Sequence, residues 1–375
     1  MISKDRLIEE FMELVRVDSE TRNERQIADV LKAKFSKLGL EAIEDDSQER
    51  TGHGAGNLFV TWPADNAGST QKLLFTCHMD TVVPGQNIKP TLGDDGWITS
   101  DGTTILGADD KAGLAALFEA IRVIQEQKIP HGQIQFVITA GEESGLMGAR
   151  AMEPKYLDAD MGFALDSNGE IGAIAVAAPT QAKITMQIFG KSAHAGVNPE
   201  DGISAIQVAS KAISAMKLGR IDNETTANIG KFAGGGPTNI VCDHVQLDAE
   251  ARSIVQEKVD RQIAQMREAL ETTVRANGAE CEFRSEIIYP AFSFNEHDPV
   301  VQLASKAISS IGLTPRLFHS GGGSDANVFN GLKVPTVNLA VGYQHIHTTK
   351  ERIKAEDIVK VAEVVVAIVK ESAKG

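Results

Sequence analysis

The sequence predicts an α/β protein of two domains, one of which is inserted into the other. The chain has 375 residues, a length that favours two domains over one. In its outer parts, short and wholly apolar segments alternate with helical segments, as in sheets covered on both faces. In its middle part, polar and apolar residues alternate, as in a sheet with one face in water. We therefore expect a mixed-sheet α/β domain over residues 1–179 and 289–375, interrupted by a smaller α+β domain over residues 180–288.

The composition is that of a globular protein with an acidic surface. Hydrophobic residues make up 42% of the chain and charged residues 23%, which excludes a disordered or fibrous protein. Lysine and arginine together number 37, against 51 aspartates and glutamates, so the net charge is −14. Because nucleic acids and anionic membranes attract clustered positive charge, neither is an expected partner.

Neither export nor a membrane anchor is predicted. The first residues contain no uninterrupted apolar stretch like that of a signal peptide, and no segment approaches the roughly 18 consecutive apolar residues of a transmembrane helix. The three cysteines, Cys77, Cys242 and Cys281, form no CxxC pair and are odd in number, which disfavours a disulfide framework or a cysteine zinc site. We therefore expect a cytoplasmic protein.

Two helices are predicted before the first strand. Apolar residues between Leu7 and Val15 recur at helical spacing. The segment 21–24 has the form of a capping box and precedes a second amphipathic run, which Gly39 closes.

Central strands are expected where apolar residues form short uninterrupted runs. These runs are residues 73–77, 134–140, 161–165 and 337–341, and a helical segment at about 111–127 separates the first two. Runs of this length between helices indicate strands that are buried on both faces.

The middle of the chain predicts the order β-α-β-β-α-β. The strands are expected over 183–188, 227–232, 241–252 and 282–288, and the helices over 202–218 and 259–277. Helices on one side of such a sheet leave its other face uncovered, and we interpret that face as favouring self-association.

Acidic and histidine residues follow the predicted strands at the point where each strand ends. In open α/β sheets, ligands bind beyond the carboxyl ends of the strands. His78 and Asp80 follow the first strand as an HxD pattern. Residues two apart in an extended segment face the same way, so the Asp80 carboxylate can hold the His78 imidazole. For this pair alone, the alternative is a turn aspartate beside an incidental histidine.

Two acidic pairs lie at the next helix and the next strand. Asp109 and Asp110 open the predicted helix, where one can cap the helix and leave the other as a ligand. Glu142 and Glu143 follow the second strand, and adjacent side chains there point in different directions. One glutamate can thus bind a metal ion while the other faces the water that the metal activates. A solvated acidic turn is the alternative for this pair.

Two more strand ends complete the pattern. Asp166 directly follows the third apolar run, and His345 and His347 follow the last one. Together these positions supply imidazoles and carboxylates, a mixed nitrogen and oxygen donor set that suits two Zn²⁺ or similar ions. Two metals about 3.5–4 Å apart that share one carboxylate can hold a hydroxide and polarise a carbonyl.

Six short motifs of this sequence occur together in one enzyme family. They are TCHMDTV, GADDKAG, TAGEESGLMGA, ALDS, KSAHAG and HTTKE, between residues 76 and 351. In these motifs the chain resembles the co-catalytic zinc peptidases and deacylases, which include peptidase T, carboxypeptidase G, aminoacylase and succinyl-diaminopimelate desuccinylase. It looks closest to the peptidase T branch. The resemblance implies the zinc-exopeptidase α/β fold, with an inserted lid domain that also makes a dimer contact.

The resemblance implies a role for each strand-end residue. The zinc ligands it implies are His78 and Asp166 for one ion, Glu143 and His347 for the other, and Asp109 as the bridge. It also implies that Asp80 orients His78. Glu142 is implied as the general base, which takes a proton from the bridging water and passes it to the leaving amine.

The resemblance also favours His347 over His345 as the ligand. The family's histidine is followed by a glutamate four positions later, as His347 is by Glu351. In addition, it implies a cis peptide bond between Asp109 and Asp110.

Substrate contacts from the inserted domain are implied in the same way. His194, in KSAHAG, is expected to reach the active site of the partner subunit and to stabilise the oxyanion. Asn239 and Arg252 are expected to bind the substrate carboxylate, which suits a planar guanidinium; a salt bridge at the sheet rim is the alternative for Arg252. Gly322 and Gly323 lie in a glycine-rich turn that lacks the ending of a P-loop and is expected to offer backbone N–H groups to the substrate.

We therefore expect a dinuclear zinc aminopeptidase that releases the N-terminal residue of short peptides, tripeptides among them. Co²⁺ and Mn²⁺ are the expected substitutes for zinc, and a homodimer through the inserted domain is the expected assembly. An N-acyl-amino-acid deacylase and a carboxypeptidase remain alternatives, because the metal ligands do not distinguish them. A non-catalytic binding protein is a remote alternative, since Glu142 and every expected ligand are present.

Overall fold

The computed structural model describes residues 1–65 and 70–374. The chain forms two compact units. Unit 1 comprises Met1–Ala177, Phe294–Ser320 and Ser324–Gly375, and unit 2 comprises Ala178–Ser293 and Gly321–Gly323. Among the residues described, no helix has both the length and the apolar character needed to cross a membrane.

Helices α1 to α10 occur in the described part of the chain. Their bounds are Lys4–Val15 (α1), Arg25–Lys37 (α2), Ser47–Thr51 (α3), Ala108–Gln127 (α4), Met147–Ala151 (α5), Ala205–Ala215 (α6), Gln256–Ala276 (α7), Pro299–Ser310 (α8), Asp325–Gly331 (α9) and Ala355–Ser372 (α10). Short 3-10 turns cover Pro154–Tyr156 and Pro199–Asp201.

Strands β1 to β17 lie between these helices. They are Ala42–Glu44 (β1), Leu58–Trp62 (β2), Leu73–His78 (β3), Thr91–Leu92 (β4), Trp97–Thr99 (β5), Ile134–Thr139 (β6), Met161–Ser167 (β7), Ala173–Ala178 (β8), Thr180–Phe189 (β9), Gly219–Arg220 (β10), Thr225–Gly234 (β11), His244–Ser253 (β12), Glu280–Tyr289 (β13), Phe292–Ser293 (β14), Arg316–His319 (β15), Thr336–Ala340 (β16) and Arg352–Lys354 (β17).

The main sheet of unit 1 is mixed. Its strands lie in the order β1-β2-β6-β3-β7-β16-β8, and β15 also pairs with β8. β3 is parallel to both β6 and β7, and β16 is parallel to β7, whereas β2 is antiparallel to β6. The carboxyl ends of β3, β6, β7 and β16 therefore lie at one edge of the sheet. The parallel strands are the central strands that the apolar runs predict, and the mixed sheet confirms the expected α/β fold.

The apolar runs form the core of unit 1 because both faces of the central strands are covered. Every residue of β3 and β6 is buried. The Phe75 side chain of β3 has no exposed surface, and its ring centroid lies 5.6 Å from that of Phe163 and 6.3 Å from that of Phe136. Helices α1, α4 and α10 pack against one another, and α1 buries Leu7, as its helical spacing predicts.

The start of α2 differs from the predicted capping box, which is wrong. α2 begins at Arg25, with Glu24 as the N-cap residue and no side-chain cap hydrogen bond. The backbone N–H of Thr21 instead donates to the Thr81 carbonyl at 2.9 Å, outside the helix. The Glu24 carboxylate accepts the N–H groups of Arg22 and Gly54, both at 2.7 Å. These hydrogen bonds, of which those to Thr81 and Gly54 span distant parts of the sequence, form in place of the local capping bonds.

Unit 2 contains an antiparallel five-stranded sheet with α6 and α7 packed on it. The strands lie in the order β10-β11-β12-β9-β13, and all neighbours are antiparallel. Ile184, Met186 and Ile188 alternate along β9 and are buried in the core of this unit. The β-α-β-β-α-β order is confirmed, with the two-residue strand β10 added.

The other face of this sheet carries polar side chains that bond across the strands. Gln187 donates to Gln246 at 3.1 Å, and Gln181 donates to the Glu250 carboxylate at 2.7 Å. These polar groups are thus satisfied within the chain, and self-association through this face stays a prediction.

Phe75→Ala is expected to lower the free energy of unfolding of unit 1 by about 3–5 kcal/mol, because it leaves a cavity between two packed rings. Urea unfolding followed by circular dichroism measures the change. Ile43→Ala is the matched control, since Ile43 lies on β1 of the same sheet and is 56% exposed; its expected effect is under about 1 kcal/mol. Equal losses in the two variants would contradict the buried position of β3.

Candidate metal centre

Side chains that can bind metal ions converge at the carboxyl edge of the main sheet in unit 1. His78 is the last residue of β3, Asp166 lies near the end of β7, Glu142 and Glu143 follow β6, His347 follows β16, and Asp109 lies at the start of α4. Within residues 1–65 and 70–374, three groups have ligand atoms within 4.8 Å of one another: His78, Asp109 and Asp166; His78, Glu142 and Glu143; and Asp109, Glu143 and His347.

Asp109 lies between the two imidazoles. Its Oδ1 is 3.0 Å from His78 Nε2, and its Oδ2 is 3.4 Å from His347 Nε2. Asp166 Oδ1 lies 3.7 Å from the same His78 nitrogen. Glu143 Oε1 lies 3.0 Å from the same His347 nitrogen. A carboxylate that turns one oxygen toward each imidazole has the geometry of a ligand shared by two ions.

The backbone separates the roles of the two adjacent aspartates. Neither has helical dihedral angles, although both lie within the bounds of α4, and the peptide bond between them is cis, as the resemblance implies. Asp110 Oδ1 accepts the N–H of Gly113 at 3.3 Å, a bond of the N-cap kind that leaves Asp109 facing the site.

The His78 ring is held by a main-chain carbonyl. Its Nδ1 lies 2.9 Å from the carbonyl oxygen of Asp80, and the Asp80 carboxylate is farther away, with Oδ1 at 3.6 Å. That carboxylate instead accepts the backbone N–H groups of Glu142 at 3.0 Å and Glu143 at 3.2 Å. Asp80 therefore ties the end of β3 to the loop that carries the two glutamates. The bond at Nδ1 leaves Nε2 directed at the other ligands.

The electrostatics of the site indicate an excess of negative charge. Burial, together with the charges of Asp109 and Glu143, raises the pKa of Asp166 to about 6, although the hydrogen bond to His78 opposes this shift. Burial and then the Asp166 charge raise the pKa of Glu142 well above its usual range. Hydrogen bonds to Asp109 and Glu143 raise the pKa of His347 to about 10. Crowded carboxylates of this kind are stabilised by a positive charge placed among them.

The donor set fits a pair of divalent cations. It combines imidazole nitrogens with carboxylate oxygens, and none of the three groups contains a cysteine. Glu143 Oε1 is buried and faces the His347 imidazole, with Nε2 at 3.0 Å. A buried carboxylate is unfavourable in free energy unless positive charge lies beside it, and a cation at this position would supply that charge.

The loop of Glu142 rests on a histidine that matches no sequence motif. Gly141 has a left-handed φ of 67°, and a Cβ atom there would lie 2.4 Å from His53 Nε2. The same nitrogen lies 2.8 Å from the Ser144 hydroxyl. His53 therefore packs against Gly141 of this loop and hydrogen-bonds to Ser144. No local sequence pattern predicts this contact.

Three other polar residues near the site were not predicted to act there. The Tyr343 hydroxyl donates to Asp166 Oδ1 at 3.1 Å. The Asp325 carboxylate accepts the hydroxyl of Thr139, the last residue of β6. Glu351 accepts backbone N–H groups of the segment that leads to Asp109. Their only sequence signal is a polar residue beside an apolar run or a motif.

Two predicted substrate-binding residues come together in unit 2. The bridge between His194 and Ile240 places His194 beside the segment of Asn239, whose carbonyl accepts the N–H of Ala195 at 2.8 Å. Both side chains are exposed, and His194 Nδ1 accepts the N–H of Gly196 at 3.2 Å.

A second cluster in unit 2 contains Arg252. Its Nε and Nη2 atoms donate to the two oxygens of Glu250 at 2.8 and 3.0 Å, and its Nη1 lies 3.4 Å from the Tyr289 hydroxyl. A Cβ atom on Gly323 would lie 2.3 Å from the Tyr289 ring, so only glycine fits there. Gly322 precedes it in the same turn. The salt bridge considered for Arg252 is thus present.

Comparisons with known proteins agree with this geometry. Residues 74–371 match the sequence model of peptidase family M20/M25/M40. The chain is similar to the crystal structure of aminopeptidase PepT from Bacillus cereus, with 59% identity, a TM-score of 0.94 and 99% of each chain covered. It is also similar to that of a tripeptidase from Staphylococcus aureus, with 50% identity, a TM-score of 0.97 and all of both chains covered.

A curated relative extends the comparison. The uncharacterised protein YqjE of Bacillus subtilis is 56% identical over 374 residues, which is 100% of each chain. The family model covers well over half of the sequence, so the resemblance drawn from the motifs is confirmed. The chain belongs to peptidase family M20/M25/M40.

Proposed function

We propose that this chain is an aminopeptidase that releases the N-terminal residue of short peptides, tripeptides foremost, with two zinc ions per subunit. The position of Asp109 carries the proposal, because its two oxygens face the Nε2 atoms of His78 and His347 at 3.0 and 3.4 Å. The class of substrate is supported by the similarity, over the whole chain, to an aminopeptidase and a tripeptidase.

The strand-end residues divide into two ligand sets that share Asp109. His78 and Asp166 hold one ion, and Glu143 and His347 hold the other. When bound, the two cations polarise the carbonyl of the scissile bond and lower the pKa of a water molecule. Nitrogen and oxygen donors suit zinc, with Co²⁺ and Mn²⁺ as substitutes.

Glu142 acts as the general base. Its ligand atom lies within 4.8 Å of those of His78 and Glu143, but it is in neither group that contains Asp109. Its carboxylate accepts a proton from the attacking water and transfers it to the amine that leaves. The hydrogen bond from its backbone N–H to the Asp80 carboxylate fixes the loop that presents it.

Unit 2 supplies the recognition of the substrate's carboxylate. We assign this contact to Arg252, with Asn239 and the backbone N–H groups of Gly322 and Gly323. The bidentate bond from Arg252 to Glu250 fixes the plane of the guanidinium.

A homodimer formed through unit 2 completes the proposed enzyme. His194 then stabilises the oxyanion in the site of the partner subunit. We place the enzyme in the cytoplasm, where its three free cysteines stay reduced.

One peptide in three forms tests the proposed reaction. Zinc-loaded protein is incubated with Ala-Ala-Ala, its N-acetyl form and its C-terminal amide, and the products are identified by mass. We expect cleavage of the first peptide bond when the amine is free, and no cleavage of the acetylated peptide. Release of acetate would indicate a deacylase, and release of the last residue would indicate a carboxypeptidase; either result contradicts the proposal.

Glu142→Gln is expected to lower kcat by about 10²–10⁴-fold and to leave the zinc content unchanged, because it removes the base and spares the ligands. Glu143→Gln is the matched control at the adjacent position, and it is expected to reduce the zinc content itself. Zinc is measured by mass spectrometry and kcat with a tripeptide. The assignment of the base is wrong if Glu142→Gln retains the wild-type kcat.

His194→Ala is expected to lower kcat, and mixing it with Glu142→Gln is expected to restore part of the activity. In a mixed dimer, one active site has an intact Glu142 and receives the intact His194 of the other chain. Subunit exchange is first verified with differently tagged chains. If exchange occurs and activity does not return, His194 does not act across the interface.

A further inference from the structure

Glu351 is a buried carboxylate that accepts three backbone N–H groups from one segment. It is 2% exposed. Its Oε2 accepts the N–H groups of Leu106 and Gly107, both at 2.8 Å, and its Oε1 accepts the N–H of Asp109 at 3.1 Å. The segment held in this way ends at the residue whose carboxylate lies between the two imidazoles. The Glu351 carboxylate thus fixes the Asp109 backbone through the amide nitrogen of Asp109.

The other end of this connection is the loop of His347. The loop is closed at its base by Gln344 and Arg352, whose N–H groups donate to each other's carbonyl oxygens at 2.9 and 3.0 Å. Within the loop, the Glu351 N–H donates to the Thr348 carbonyl at 3.1 Å. Strand β17 starts directly after Glu351 and pairs with β5. The Glu351 backbone is therefore fixed in the same closed loop that presents His347.

We propose that Glu351 is a positioning residue that sets the distance between Asp109 and His347, and thereby the affinity of the site for its metal ions. This inference rests on the proposed function in taking those two residues as ligands. A carboxylate can accept on both oxygens, and hydrogen bonds to a charged acceptor are stronger than neutral ones. Asp109 and His347 are 238 positions apart in sequence, and Glu351 supports both of them in this way.

Glu351→Gln removes this double acceptor with almost no change in size. Whichever way the amide is turned, its NH₂ group faces backbone N–H donors, so one or two of the three hydrogen bonds are lost. Replacing the partners that orient metal ligands typically weakens metal binding by about 10–100-fold. We expect a loss of that size for the ion held by Asp109 and His347, with both zinc ions still bound when zinc is in excess.

Chelator competition on the zinc-loaded, full-length protein measures this effect without reference to activity. The dissociation constants of the zinc ions are compared between the wild type and Glu351→Gln, and urea unfolding gives the stability of each protein. Glu119→Gln is the matched control. Glu119 is fully buried in the same unit and accepts the Ser3 N–H at 2.8 Å and the Arg6 guanidinium. It lies ten residues along α4 from Asp109, about 15 Å away. Glu119→Gln is expected to lower stability and to leave the zinc affinity unchanged.

The outcomes separate positioning from a merely structural role. Zinc affinity within twofold of the wild type in Glu351→Gln, with a loss of stability like that of Glu119→Gln, overturns the inference and leaves the proposed function intact. Failure of the wild type to bind zinc overturns both. If Glu351→Gln does not fold, hydrogen exchange of the wild-type protein tests the inference instead. The inference requires that the amides of Leu106, Gly107 and Asp109 are protected from exchange. Exchange of these amides at the rate of an exposed loop overturns it.

Discussion

The concentration of carboxylates at the carboxyl edge of one sheet is the constraint on which the rest of unit 1 depends. Several buried acids in one place repel each other, so each must be held by donors that do not move. The structure supplies backbone N–H groups for this purpose. Asp80 accepts those of Glu142 and Glu143, Asp110 accepts that of Gly113, and Glu351 accepts those before and at Asp109. The carboxylates that accept backbone N–H groups are thus different from those that face the imidazoles.

The core of the sheet makes this arrangement rigid. β3 and β6 are buried over their whole length, and their register aligns His78 with Thr139 at the strand ends. A shift of one residue in this pairing would turn buried side chains to the other face of each strand, so the packing of residues such as Phe75 also fixes the level of His78. The packing of the apolar runs therefore determines where the polar residues at the strand ends lie.

The sequence predicts the elements well and the strand-end residues that come together in the structure, because both depend on local patterns. Uninterrupted apolar runs predicted β3, β6, β7 and β16, and alternation predicted β9. The partners of polar groups are a different matter, since they depend on loops that meet only after folding. The Glu24 side chain makes no cap hydrogen bond to α2 and instead accepts the backbone N–H of Gly54. The Asp80 carboxylate accepts the backbone N–H groups of Glu142 and Glu143, while the Asp80 carbonyl oxygen lies next to His78 Nδ1. No spacing along the chain specifies these bonds.

The separation into two units bears on how specificity arises. The ligands proposed in unit 1 would provide chemistry that serves any amide bond, so they cannot select between an aminopeptidase, a deacylase and a carboxypeptidase. Selection requires groups that recognise the ends of the substrate. In unit 2 the Arg252 guanidinium is fixed by Glu250 on one edge, so the carboxylate recognition proposed for it would be directional. Tyr289 lies against the other edge of the guanidinium and packs on Gly323. Under the proposed function, a substitution at Glu250 or Tyr289 would therefore alter the choice of substrate and leave the proposed metal ligands unchanged.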